Sequence, residues 1–441
     1  MVKNIFKYIL IFIVLLGCTK EGITFKSTSF LEQLDFVKTI GGSKNEVAKS
    51  VIKTPDGGYA ILGYTQSNDI DFSQKNNTSF DYAVLKFSSD DKLEWKKTYG
   101  GSNDDRGEKI ISTSDGGYAI LGYTKSNDID ITNNAGDRDF WLVKLNPTGT
   151  IIWQKTFGYI GKDIGTTLIE TDDNGFLIAG ELDVTSSGGL GNSKSSAIQH
   201  AGGDMWALKL NSLGAIEWSK YYGGTFTDTP HGIVKTDDGY IIAGISDSSD
   251  VDITNNKGSY DFWVIKINKK GKLLWNKNFG GTEIDEAKAI VSTNDNNFLI
   301  VGNTRSTDKD VTNNKGGADL WVIKINSNGG LVWQKNFGGN NFDVGNSIKK
   351  MSDGNYLLSG SSRSADNGIT NKGQNDAWIL KISPDGSLLW QKTIGGTEID
   401  FCYDVVELNN GTIVGVGESS SNNNDITNNK GFSDLLIIKY K

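Results

Sequence analysis

Pairs of aspartates one position apart are the residues of this 441-residue chain whose type and spacing could do chemistry. Each pair opens a polar loop such as Asp128-Ile-Asp130-Ile-Thr-Asn-Asn-Ala-Gly136. Carboxylate and amide oxygens are the ligands that Ca²⁺ prefers, so these loops predict calcium sites. The spacing differs from an EF-hand, which needs Gly at its sixth position and Glu at its twelfth. The candidate calcium ligands are Asp69, Asp71, Asp128, Asp130, Asp250, Asp252, Asp308 and Asp310.

The same loops have an explanation that needs no metal. Asp and Asn side chains hydrogen-bond to nearby backbone groups, which caps a loop without any ligand. Two copies also depart from the pattern, since one keeps only Asp366 and the last has Asn423 before Asp425. Calcium binding and self-capping both stay open from the sequence.

The two histidines, His200 and His231, are the other candidate ligand-binding residues. His200 ends a long Ser/Gly-rich segment, residues 183–203, that breaks an otherwise regular pattern. Loops vary at little cost to a core, so such departures are where function is often added, although simple drift explains this one equally well. Two His without a nucleophile signature make no catalytic set, and no catalytic residue is assigned.

Composition restricts both the fold and the partners. The chain has 54 Gly and 4 Pro, which argues against a helical protein and against a Pro-rich linker. Aromatic residues make up 10% of it, enough for a large core. The net charge is −8 without a basic run, so nucleic acid is not an expected partner.

A repeat of about 58 residues organises the chain. A glycine pair or its equivalent ends each unit at Gly41, Gly100, Gly158, Gly223, Gly280, Gly338 and Gly395. Each unit contains four short β-like runs separated by tight turns, which we name strands a, b, c and d. In the second copy we predict them at 107–113, 118–124, 140–146 and 150–157. Four-stranded meanders of fixed period are typical of β-propeller blades.

The two ends of the chain complete each other. Residues 34–40 match strand d with no a, b or c before them, and residues 434–441 are a strand c with no d after it. Joining them closes the ring and removes free sheet edges. We therefore predict an all-β, seven-bladed β-propeller over residues 31–441, closed by an N-terminal strand.

Residues that recur in every blade are expected to build the scaffold. The 11 Trp lie in strands c and d, where we predict packing between blades. A Gly recurs in strand b, and we expect close approach there, with a Trp of the next blade as the approaching group. The Asp that opens each strand c, such as Asp139, is expected to accept hydrogen bonds from its own b–c loop.

One face of the ring is expected to be the binding surface. The b–c loops and the d–a crossovers leave a four-stranded meander on the same side, and both carry acids. This acidic loop face predicts a binding or scaffolding module, non-enzymatic, with a protein or glycan as ligand. The alternative is a quinoprotein-like or glycan-active enzyme with an acid pair in the central channel.

The N-terminus predicts the compartment. Lys3 and Lys7 precede an apolar run that ends in Leu15-Leu16-Gly17-Cys18, as in a secretory signal peptide. The run is far shorter than the roughly 20 residues of a membrane span. Leu-Leu-Gly-Cys resembles the lipobox of bacterial lipoproteins, which implies lipidation of Cys18, a signal peptide over 1–17 and a tether over 18–30. We expect a lipid anchor to the outer membrane of the bacterial cell envelope, with the protein facing either the periplasm or the cell surface.

Copies such as DGGYIIAGISDSSDVDITNNKGSYDFWVIKINKKGKLLWNKNFGG also carry a family resemblance. They resemble the delta-60-like propeller repeats of Bacteroidetes envelope proteins. The Gly-x-x-x-Trp end of each unit, as in residues 149–153, is similar to quinoprotein-like repeats. The resemblance covers residues 34–441 and implies a propeller at the cell envelope; most members have no assigned activity.

Overall fold

A computed structural model describes residues 33–184, 186 and 202–441 of the chain. Seven antiparallel four-stranded sheets form a ring, which confirms the seven-bladed β-propeller. Blades 1 to 6 each use four consecutive strands, and blade 7 combines the last three strands with the first. Residues 1–32, with the predicted signal peptide, Cys18 and the whole of the predicted tether, lie outside the described residues.

The first three blades comprise β2 to β13. The strands are β2 Glu46–Lys53, β3 Tyr59–Thr65, β4 Asp81–Phe87 and β5 Leu93–Tyr99 in blade 1; β6 Asp105–Ser112, β7 Tyr118–Thr124, β8 Asp139–Leu145 and β9 Ile151–Phe157 in blade 2; and β10 Ile164–Glu170, β11 Phe176–Asp183, β12 Gly203–Leu210 and β13 Ile216–Tyr222 in blade 3. A 3-10 turn, Ile70–Phe72, lies in the b–c loop of blade 1.

The remaining blades follow the same order from the axis outwards. The strands are β14 Asp228–Thr236, β15 Gly239–Ser246, β16 Asp261–Asn268 and β17 Leu273–Phe279 in blade 4; β18 Asp285–Ser292, β19 Phe298–Thr304, β20 Asp319–Ile325 and β21 Leu331–Phe337 in blade 5; β22 Asp343–Lys350, β23 Tyr356–Ser362, β24 Asp376–Ile382 and β25 Leu388–Ile394 in blade 6; and β26 Asp400–Glu407, β27 Ile413–Ser419, β28 Asp434–Tyr440 and β1 Leu34–Ile40 in blade 7. In the second copy the predicted strands agree within two residues.

The ring closes in the way that we predicted from the sequences of the two chain ends. β1 pairs antiparallel with β28, so the N-terminal strand is the outermost strand of blade 7. Lys439 at the end of β28 then reaches Asp91 of blade 1, with Nζ 2.6 Å from Oδ1. In the other six blades the equivalent Lys pairs with an Asp of its own a–b turn, and blade 7 has Asn410 in that turn.

The hydrophobic core is divided among the seven interfaces between blades. Each of seven buried clusters draws side chains from two neighbouring blades. The tryptophans confirm the predicted packing: Trp141 is fully buried, with its ring 4.6 Å from that of Tyr82 in the preceding blade. Trp95 of strand d packs in the other direction, 6.0 Å from Tyr118. A blade therefore acquires a core only when its neighbours are present.

The strand-b glycine is crowded, but not by tryptophan. At Gly122 an added Cβ would collide with the backbone carbonyl of Arg106, in strand a of the same blade. Gly63 meets the carbonyl of Val47 in the same way. Strand a contains a β-bulge close to each of these contacts. The irregular backbone at the bulge brings the carbonyl group of Val47 or Arg106 towards strand b. The expectation of a neighbouring Trp was wrong, because the approaching group is the bulged backbone.

No helix in the described part of the chain has the length and apolar character needed to cross a lipid bilayer.

Candidate functional site

Each Asp-x-Asp loop accepts hydrogen bonds from the d–a crossover that leads into the same blade. Asp128 Oδ1 accepts a hydrogen bond of 2.8 Å from Ser102 N–H, and Asp130 Oδ2 accepts one of 3.1 Å from Gly100 N–H. Blades 1, 4 and 5 repeat these bonds at Asp69, Asp71, Asp250, Asp252, Asp308 and Asp310. The b–c loops and the d–a crossovers thus lie together on one face of the ring, as predicted. We call it the loop face.

The second aspartate of the pair also contacts the preceding blade. Lys430 Nζ of blade 7 lies 3.3 Å from Asp71 Oδ2 of blade 1. Lys257 pairs with Asp310 in the same way, and Lys372 with Asp425. Ion pairs therefore join the loops of blades 7 and 1, of blades 4 and 5, and of blades 6 and 7.

Within the described residues, no three His, Cys, Asp or Glu side chains group so that they could hold a metal ion. The Asp-x-Asp carboxylates instead have backbone N–H and ammonium partners, which is the arrangement of the self-capping alternative. Calcium binding at these loops stays a prediction.

The acid that recurs in each d–a crossover does not face solvent, although Asp104, Glu283 and Glu398 of the same crossovers remain partly or fully exposed. Glu46, Asp105, Asp163, Asp228, Asp285, Asp343 and Asp400 are all fully buried. Asp105 shows why: its carboxylate accepts hydrogen bonds from Gly101 N–H at 2.8 Å and from Ser126 Oγ at 2.9 Å. The loop face is therefore less acidic than the sequence indicated, because recurring crossover acids serve as internal acceptors.

A pair of buried carboxylates lies at each interface. Asp139 opens strand c of blade 2 and accepts a 2.7 Å hydrogen bond from Ala135 N–H, which confirms the bond predicted from its own loop. Asp163 belongs to the next blade, and a Cβ on Gly158 would collide with both carboxylates. This crowding explains why the first residue of each crossover is glycine.

Burial of these pairs raises their pKa values. Desolvation raises the pKa of Asp163 to about 7, and the nearby charge of Asp139 adds to the effect. Asp261 also has its pKa raised to about 7, by burial and then by Asp285. Close carboxylates in a low-dielectric interior disfavour each other's ionisation.

The opposite face contains the a–b turns and a different recurring pair. Lys144 Nζ lies 2.8 Å from Asp115 Oδ2 in blade 2. Burial raises the pKa of Asp115, but hydrogen bonds from Lys144 and Thr113 outweigh that effect and lower it to about 2. These pairs close the hairpin turns and are part of the scaffold.

The central channel holds the non-recurring polar residues. In each strand a, the bulge leaves one residue without a partner in strand b. These seven residues line the channel as a bulge ring: Lys49, Glu108, Thr166, His231, Lys288, Asn346 and Tyr403. Bulges re-aim side chains and are common beside active and binding sites.

The residue after the bulge adds one further group. Asp404 lies beside the ring, is almost fully buried, and has Lys109 and Lys349 at 3.6 and 3.2 Å. None of these three residues was predicted from the sequence. Aligning the seven strands a by their crossover acids provides a signal, because the positions three and four residues later vary in type and charge, and Lys349 is the one charged residue at a position that is aliphatic in the other six strands.

His231 lies in the bulge ring, in strand a of blade 4. Burial lowers the pKa of His231 well below its usual range, and the nearby Lys288 and Lys49 charges lower it further. The imidazole is therefore neutral at pH 7. His200 lies outside the described residues, so ligand binding by the two histidines stays a prediction.

Comparison with known proteins supports the fold alone. No family model matches the chain, and no curated protein matches it. Among solved structures, puromycin hydrolase is similar with a TM-score of 0.50 at 9% identity, over 86% of this chain and 51% of that one. The WD40 domain of Neurospora crassa Pan2 is similar with a TM-score of 0.46 at 9% identity, over 92% and 95%. A glucose dehydrogenase is similar with a TM-score of 0.40 at 10% identity, over 73% and 95%.

The buried carboxylates predict that stability rises as the pH falls from 8 to 5. A carboxyl group whose folded-state pKa lies above its unfolded value stabilises fully below the unfolded pKa and loses that contribution as the pH rises through the folded pKa. For Asp163 and Asp261 this window runs from about 4 to about 7. The midpoint of thermal unfolding should rise by several degrees as the pH falls through this window. Circular dichroism measures the midpoint.

Matched variants test the source of this pH dependence. Asp139 has a pKa raised to about 6 by burial, so Asp139→Asn should reduce the slope of midpoint against pH. Asp137→Asn, at an exposed position of the same loop, should leave the slope unchanged. A midpoint that is flat or falls between pH 8 and 5 contradicts the role of the buried pairs.

The calcium prediction is tested by thermal melts with EDTA and with millimolar Ca²⁺. A site saturated a hundredfold above its dissociation constant adds about 2.7 kcal/mol to the free energy of unfolding. Several loops filled together should raise the midpoint by many degrees, and Asp128→Asn with Asp130→Asn should lower that gain. Identical midpoints in EDTA and Ca²⁺ would contradict calcium binding. The role of the loops would then be to hydrogen-bond the crossovers.

Proposed function

We propose that this protein is a non-enzymatic binding module of the bacterial cell envelope, held at a membrane by a lipid on Cys18. Its propeller docks a protein partner on the loop face. The observation that carries the proposal is a set of exposed, branched apolar residues held in a strained backbone conformation on that face.

The strained residues occupy the middle position of the Asp-x-Asp loops. Ile70, Ile129 and Val251 have φ angles of 48°, 59° and 60°. This left-handed region costs a non-glycine residue about 1–2 kcal/mol, and β-branched side chains are rare there. Blades 6 and 7 place Asn367 and Asn424 at the same position, and Asn tolerates the conformation best.

The solvent exposure of these side chains supports a role other than stabilising the fold. Ile129 is 76% exposed and Ile70 56% exposed, so neither is explained by packing. The crossovers and loops of the same face add exposed Ile160, Phe226, Phe342 and Phe432. Apolar side chains presented on one rigid face are typical of a protein interaction surface.

The tryptophans favour a protein over a glycan as the partner. Tryptophan offers the largest flat ring for stacking on a sugar, larger than the rings of the exposed Phe226, Phe342 and Phe432. The five Trp of strands c are buried between blades, and the strand-d Trp lie at the periphery of the ring. A glycan ligand is therefore an outcome of the test below rather than part of the proposal.

The alternative of a quinoprotein-like or glycan-active enzyme requires an acid pair in the central channel. Glu108 and Asp404 are carboxylates that line it, and each is paired with lysine. Lys109 and Lys349 hold the pKa of Asp404 below its usual range against the effect of burial. A carboxylate held in its ionised form is poorly suited to general acid catalysis, which favours binding.

The lipid anchor rests on the sequence of residues 1–18. We expect Cys18→Ser to move the protein from the membrane fraction to the soluble fraction, because the acylated thiol is removed. Thr19→Ser is the control and should stay with the membrane. Mass spectrometry of the N-terminal peptide should show acyl chains in the control only. Equal membrane recovery of the Cys18→Ser variant contradicts the proposal.

The docking face is tested with the triple variant Ile70→Asn, Ile129→Asn and Val251→Asn, which copies the residue of blades 6 and 7. Relief of backbone strain should raise the free energy of unfolding by about 1 kcal/mol per site. The variant should also lose the cross-link that a photoreactive residue at the exposed position 127 forms with a protein in intact cells.

The control is Ile152→Asn, an exposed position on the outer strand of blade 2, which should keep the cross-link. A triple variant with unchanged stability and an unchanged cross-link refutes the docking face. Binding to purified glycans that survives the triple substitution would identify a glycan ligand instead.

A further inference from the structure

The central channel contains a cavity that the proposed docking face does not use. Its volume is about 600 Å³, enough for a small molecule, and its wall is formed by strands a. Four lysines, Lys49, Lys109, Lys288 and Lys349, line it. This concentration of positive charge contrasts with the net charge of −8 for the whole chain.

Two of the four lysines have their own carboxylates. Lys49 Nζ lies 3.1 Å from Glu108 Oε2, and Lys288 Nζ lies 3.5 Å from Glu286 Oε2. Lys109 and Lys349 differ, because both pair with Asp404, at 3.6 and 3.2 Å. Two ammonium groups therefore share a single negative charge at the channel wall.

The carboxylate of Asp404 is fixed in place. Oδ2 accepts hydrogen bonds of 3.0 Å from Ser50 Oγ and 3.1 Å from Val51 N–H. Oδ1 accepts a hydrogen bond of 2.5 Å from Ser347 Oγ. Asp404 is thus anchored by the strands around it, while the side chains of Lys109 and Lys349 are 29% and 31% exposed within the lined cavity.

Lys349 stands at a position that is otherwise aliphatic. The equivalent residues of the other six strands a are Ile52, Ile111, Ile169, Val234, Val291 and Val406. The ring therefore does not need a lysine there to fold. Its presence creates the excess charge, and the burial of an unpaired charge is unfavourable unless a counter-charge is supplied.

His231 also lines the channel, and its imidazole is neutral at pH 7, so it adds no positive charge to the cavity. Its Nε2 has almost no accessible surface and makes no hydrogen bond to any described residue. The positive charge of the cavity therefore comes from its lysines.

We propose that the central channel binds a small anion through a phosphate or carboxylate group held between Lys109 and Lys349. A cavity lined by one sign of charge with low-dielectric walls concentrates ions of the opposite sign. Both candidate groups offer oxygen acceptors to ammonium groups. This site is independent of the loop-face partner, so either proposal can fail without the other.

Isothermal titration calorimetry of the propeller with inorganic phosphate, and separately with acetate, tests the proposal at fixed ionic strength. We expect saturable binding with one site per chain for at least one of the two anions. Preference for phosphate or acetate identifies the chemical group. Absence of saturable binding by both anions overturns the proposal.

The matched variants are Lys349→Ile and Lys350→Met, which remove the same charge from neighbouring positions. Lys349→Ile copies the residue of other blades and leaves Lys109 paired one-to-one with Asp404, so binding should weaken at least tenfold. Lys350 is exposed and does not line the cavity, so Lys350→Met should bind as the native protein does. Equal weakening in both variants refutes the site.

A measurement on the native protein keeps the test valid if Lys349→Ile does not fold. Burial and the Lys349 charge lower the pKa of Lys109 to about 8, although Asp404 acts in the opposite direction. An anion bound beside Lys109 should raise this pKa. NMR of ¹³C-methylated lysines, with and without phosphate, measures the change. A Lys109 pKa that does not change at saturating phosphate contradicts the proposal.

Discussion

The ring depends on buried carboxylates at the interfaces between its blades. Each interface places an acid from strand c of one blade beside an acid from strand a of the next, and the crossover glycine lies between them, as Gly158 does between Asp139 and Asp163. Asp139 accepts an N–H group of its own b–c loop and Asp163 accepts one of the crossover, and both N–H groups would otherwise be left unsatisfied. Because the hydrophobic clusters also lie between blades, the interface rather than the blade is the unit of stability.

Recurrence separates scaffold from function in this chain. The positions that repeat around the ring, such as Trp141, Asp139 and Lys144, are buried and bonded within the fold. The positions that break the repeat carry exposed apolar side chains or charges that are not fully paired. Lys349 replaces an aliphatic residue in the channel, and Ile129 replaces a residue better suited to its backbone conformation. A repeat protein can vary such positions because they contribute little to the interfaces.

The fold could be predicted because its signals are local or periodic. Strand patterns, the spacing of the glycine pairs and the complementary chain ends required no knowledge of distant contacts, and Asp139 bonds to its own loop. The channel cluster could not be predicted in the same way. Lys109, Lys349 and Asp404 come from three different blades and meet only at the axis of a closed ring. The burial of the crossover acids was not predicted for a related reason, since it depends on contacts with their own b–c loop and with the strand-c acid of the preceding blade.

The two proposed surfaces are connected through strand a. In blade 2 the strand begins at Asp105, whose carboxylate holds the crossover on the loop face, and three residues later the bulge turns Glu108 into the channel. The bulged carbonyl is packed against the strand-b glycine, so the position of the channel side chain is fixed by the backbone. At the channel wall, Lys109 and Lys349 are held by Asp404, which accepts hydrogen bonds from Ser50, Val51 and Ser347. An anion in the channel would meet groups already in place, which lowers the conformational entropy that its binding must offset.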